Sequence, residues 1–78
     1  MTDRARELAE ILTQSLMQEG LPELFEPVIY DRLSEALRSD RFRPFLAANE
    51  RGSAKQILEK LVLRFDPRDF RVDLEYKN

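Results

Sequence analysis

Residues 61–76 read LVLRFDPRDFRVDLEY, and the fold turns on whether the first five of them are helix or strand. The second half is clear. Phe70, Val72, Leu74 and Tyr76 alternate with Arg71, Asp73, Glu75 and Lys77. A period of two is the pattern of a half-buried strand. A lone strand leaves backbone donors and acceptors unpaired along both edges. Four solutions are open: pairing with a copy of itself, addition to a partner's sheet, a hairpin with residues 61–65, or a tail laid on the helices.

The residues before the turn obey two rules at once. Ser53-Ala54-Lys55-Gln56 is a capping box, in which Ser53 accepts from the Gln56 backbone and Gln56 reaches back. Ala54, Ile57, Leu58, Leu61, Val62 and Phe65 then follow the helical period, and Asp66-Pro67 would end the helix. The competing reading makes residues 61–65 a first strand, with Asp66-Pro67 opening a type I turn. It would leave Ser53 capping only two helical turns. That consideration favours a helix running to Phe65.

Upstream, the chain reads as helix. Thr2 is suited to cap a first helix, with Asp3 in its first turn where the helix dipole favours an acid. Ala5, Leu8, Ala9, Leu12 and Leu16 form one apolar stripe, and Gly20 supplies a left-handed stop. Pro22 and Pro27 divide the next stretch into a short turn over 22–26 and a helix from Pro27 to about Arg38, with Val28, Ile29, Leu33, Ala36 and Leu37 as its apolar side. A single kinked helix is the alternative. Asp40 is placed to cap a short third helix over 43–49, anchored by Phe42, Phe45 and Leu46, and the Asn49–Gly52 stretch is a turn. The expected fold is therefore mainly α, of the α+β class. It is a small bundle of about four short helices over residues 1–65, followed over 66–78 by a turn and one C-terminal β-strand or hairpin, all in a single domain.

The 78 residues suffice for one small domain, with 42% hydrophobic and 36% charged residues. Cysteine and histidine are absent. Disulfides, thiol nucleophiles, zinc-thiolate sites and Ser-His-Asp arrangements are thereby excluded. The two glycines, Gly20 and Gly52, build no phosphate-cradling loop. No cofactor and no metal is expected. Carboxylate chemistry stays open through Glu7/Glu10 and Glu23/Glu26, but a raised catalytic pKa needs a walled cleft that so small a domain hardly provides. These acids read as a solvated face. No apolar run has the length of a signal peptide or membrane span, so a cytoplasmic protein without membrane contact is the expectation.

Net charge is −2 but unevenly spread. Residues 1–37 hold eight acids and three bases, a net of −5; residues 38–68 hold eight bases and four acids, a net of +4. The basic stretch interleaves Arg38, Arg41, Arg43, Arg51 and Lys55 with Phe42 and Phe45. Arginines bind phosphate or carboxylate in bidentate fashion, and phenylalanines stack on bases. A nucleic-acid-associated regulator is thus the alternative function, opposed by the sequence pI of about 5.1. The leading expectation is a non-catalytic protein-protein interaction module, a regulatory, adaptor or accessory subunit. Its expected interface is Phe70, Val72, Leu74 and Tyr76, with Arg38, Arg41 and Arg43 as charged contacts and a homodimer through the C-terminal strand.

Overall fold

The computed structural model describes residues 3–77. Helix α1 spans Arg4–Met17, and Asp3 is its cap, accepting from the Arg6 backbone N–H. The Thr2 cap expected from sequence lies outside the described residues. The apolar stripe Ala5, Leu8, Ala9, Leu12 and Leu16 is buried as its spacing requires. Thr13 is buried with it, its hydroxyl donating to the Ala9 carbonyl at 2.6 Å, so no polar atom is stranded. Gly20, with φ of 97°, takes the left-handed conformation just past the helix and donates to the Met17 carbonyl.

A 3-10 turn over Glu23–Phe25 leads straight into α2, Glu26–Leu37. Pro27 is tolerated because it lies in the first turn, where its missing N–H has no partner to lose. Ile29, Leu33 and Leu37 are buried against α1 and the rest of the core, but Val28 points out to solvent, contrary to the reading that put it on the apolar side. Helix α3, Arg43–Ala48, begins at Phe42 with no side-chain cap; Asp40 pairs with Arg43 at 3.3 Å instead of capping. Phe42 and Phe45 are core residues.

The capping box forms as read, with Ser53 and Gln56 exchanging both bonds. Yet α4 covers only Ala54–Leu58, and residues 61–66 are strand, which corrects the helix to Phe65. Strand β1, Leu61–Asp66, pairs antiparallel with β2, Arg71–Tyr76, with Leu61 opposite Tyr76 and Asp66 opposite Arg71. The reason is backbone satisfaction: a helix through Phe65 would leave β2 without a partner, whereas the hairpin pairs both strands along one edge. Leu61, Leu63 and Phe65 join Val72, Leu74 and Tyr76 on the face turned to the helices. On the other face Arg64 stands opposite Asp73 and Asp66 opposite Arg71, so unlike charges meet across the strands.

Pro67–Phe70 form the turn, steadied by the Asp66 carboxylate accepting from the Arg68 N–H at 2.9 Å. Two aromatic groups fasten the hairpin to the helices. At the turn end, Phe70 meets Phe25 and Phe65 edge-on at 4.9 and 5.5 Å, with the Arg32 guanidinium over its ring at 5.8 Å. At the open end, Tyr76 stacks on Phe45 at 5.0 Å and meets Phe42 edge-on at 5.2 Å. One core runs through α1, α2, α3, α4 and the hairpin.

Candidate functional site

The residues singled out in the sequence are largely engaged within the fold. Leu74 is buried, and Phe70, Val72 and Tyr76 are half-buried against the core. The alternating face of β2 is occupied by the chain's own helices and its inner edge by β1. The arginines each find an acid. Arg38, at the C-terminal end of α2 where the dipole favours a cation, donates to the Ser34 hydroxyl and the Asp3 carboxylate, tying the end of α2 to the start of α1. Arg41 pairs with Glu75, tying the loop before α3 to β2, and Arg43 pairs with Asp40. The Arg6 backbone N–H and the Arg38 guanidinium hold the Asp3 carboxyl below its ordinary 3.8. The fold therefore does not gather Arg38, Arg41 and Arg43 into one free cationic patch.

What the fold leaves open lies on the opposite side of the chain's charge map. Among the described residues the large apolar side chains left exposed are Ile11, Leu24 and Val28, at 40%, 74% and 42%. All three belong to the acidic first half, on α1, the 3-10 turn and α2. The same three elements enclose a groove of about 850 Å³, between α1 and the turn-plus-α2 segment. Its walls include Glu10 on one side and Glu23, Glu26, Pro27, Tyr30 and Asp31 on the other. A second depression, around Ile11, shares Glu10 and Gln14 with it and so adjoins the groove across α1.

The groove's electrostatics follow from its lining, which contains four carboxylates and no lysine or arginine. Glu10 is paired with Arg6 at 3.2 Å. Glu26 accepts from the Gln14 amide at 2.8 Å, a neutral donor that leaves the charge in place. Among the described residues no ion pair involves Glu23, Glu26 or Asp31. Arg32, beside Asp31 in sequence, is turned away onto Phe70. Such a lining attracts cations and repels phosphates and anionic lipid.

Parts of this surface were visible in the sequence as residues without a role. Ile11 falls outside the α1 stripe, and Leu24 sits in the turn between the two prolines, outside any helix read from the sequence. The carboxylates were noted only as a solvated face. Among the described residues no group of His, Cys, Asp or Glu is arranged to hold a metal ion, and no helix is long and apolar enough to cross a membrane. No protein-family model, curated protein or solved structure matches the chain.

Proposed function

We propose that this chain is a small non-catalytic binding module, a regulatory or adaptor subunit that acts by docking another protein on the face formed by α1, the 3-10 turn and α2. The observation that carries the reading is the groove between α1 and the turn-plus-α2 segment, on the three elements that also expose Ile11, Leu24 and Val28. The large apolar residues Leu61, Leu63, Phe65, Val72, Leu74 and Tyr76 of the hairpin and Phe45 and Leu46 of α3 pack instead into or against the core. The docking face thus moves from the C-terminal strand, whose apolar side is committed to the core, to the helices at the other end of the sequence.

The test compares single substitutions on two faces. The chain is immobilised and cross-linked in extract from its own cells, beside Leu24→Asp and a control, Arg64→Glu on the outer face of the hairpin. The expected result is a partner held in stoichiometric amount by the wild type and by Arg64→Glu, with cross-links on residues 11–28, and lost with Leu24→Asp. Retention of nothing by the wild type, or equal retention by Leu24→Asp, removes the reading. Leu24 is exposed enough that circular dichroism of the variant should match the wild type, which keeps misfolding out of the comparison.

A further inference from the structure

Resting on that docking face, we infer that its occupant is a cationic amphipathic α-helix presented by a different protein. Charge fixes the sign of the partner. The groove offers Glu23, Glu26 and Asp31 without an intrachain cation, and its walls bring no base of their own. An anionic partner, whether nucleic acid, acidic peptide or lipid surface, meets like charge there. A partner bearing lysines or arginines completes the pairs the fold leaves unmade.

Backbone chemistry fixes the partner's form. Both walls of the groove are helical, so most of their backbone donors and acceptors are already spent internally. No sheet edge is available there to receive an extended segment by strand addition. A helix satisfies its own backbone and needs only side-chain contact. It can lay an apolar stripe on Pro27 and Tyr30 while its basic flank reaches the carboxylates.

A second copy of this chain is a poor fit. Its basic half supplies only α3 and α4, of six and five residues. Their buried residues, Phe45 and Ile57, face the chain's own core, leaving outer faces too short to lie along the groove and with only Arg43 and Lys55 as bases. The cationic helix therefore comes from elsewhere.

The test uses a synthetic amphipathic helix of about 18 leucine and lysine residues, long enough to hold its shape on binding. It is titrated into the full chain with methyl and amide signals followed by NMR. The expected result is shifts at the groove residues Thr13, Gln14, Tyr30 and Asp31, helical chemical shifts in the bound peptide, and affinity that falls steeply with added salt. A variant combining Glu23→Gln, Glu26→Gln and Asp31→Asn removes three exposed partner charges and should weaken binding roughly tenfold. A leucine-glutamate peptide should not bind.

Four results overturn the inference: no shifts at all, shifts confined to the hairpin, equal binding of the glutamate peptide, or an extended bound peptide. Shifts at Thr13, Gln14 and Tyr30 on raising the protein concentration alone would also overturn it, in favour of self-association. If the peptide fails while the immobilised chain still holds a protein through Leu24, the docking role stands and only the cationic helix is lost.

Discussion

Phe70 combines a backbone angle that an L side chain resists with a ring that its neighbours hold. Its φ is 51°, the one positive value among the described residues other than glycine. That conformation costs a residue with a Cβ about 1–2 kcal/mol. The ring contacts with Phe25, Phe65 and Arg32 offset the cost. The two effects separate in a pair of variants. Phe70→Ala loses the ring and keeps the strain, whereas Phe70→Gly loses the ring and relieves it. Glycine should therefore be the less destabilised of the two, by about 1 kcal/mol in urea unfolding. The reverse order would mean that the turn does not resist the angle. Asp3 gives a second prediction at this scale. Its carboxyl is held below 3.8 by the Arg6 N–H and Arg38 in the folded state. A lowered folded pKa contributes stability above the ordinary value, and that contribution is lost as pH falls through the lower folded one. Melting temperature should thus drop less steeply below pH 3.8 in Asp3→Asn than in the wild type. Identical acid limbs would show that the Asp3–Arg38 tie does not hold in solution.

The elements differ in how legible they were. Helix α1 was plain because its five apolar residues fit one period only, and the Ser53 cap was plain because the capping box is local chemistry. The end of α4 was not. Leu61, Val62 and Phe65 fit a helix, and Leu61, Leu63 and Phe65 fit a strand, so periodicity alone cannot choose. The choice is made by β2, at a distance no local rule sees. The groove was illegible for the same reason: its two walls come from α1 and from the segment beginning at Glu23, and only tertiary packing sets them side by side. A prediction follows for the hairpin. Ending the chain at Asp69 deletes Leu74 from the core and strips Tyr76 from Phe42 and Phe45. The shortened chain should lose its cooperative thermal transition, seen by near-ultraviolet circular dichroism, instead of surviving as a stable set of helices. A sharp transition near the wild-type temperature would mean that the helices stand without the hairpin.

At the scale of the whole molecule, one small core joins every element. Stability of about 4–8 kcal/mol is typical of this length. Leu33 is fully buried, and Leu33→Ala should cost about 2–5 kcal/mol, a large share of that total. The helical signal and the tyrosine signal should then vanish at one urea midpoint, in wild type and variant alike. Separate midpoints would reveal two folding units. The outer face of the hairpin bears on how reliably this single unit assembles. A slip of one residue between the strands would set apolar Leu63 or Phe65 against charged neighbours. A slip of two keeps the apolar face inward, yet it places Arg64 opposite Arg71 in one direction and Asp66 opposite Asp73 in the other. Like charges directly opposed are unfavourable. The ordered alternation of sign along residues 64, 66, 71 and 73 thus favours the native alignment from the solvent side, where the core side alone would accept a slip of two.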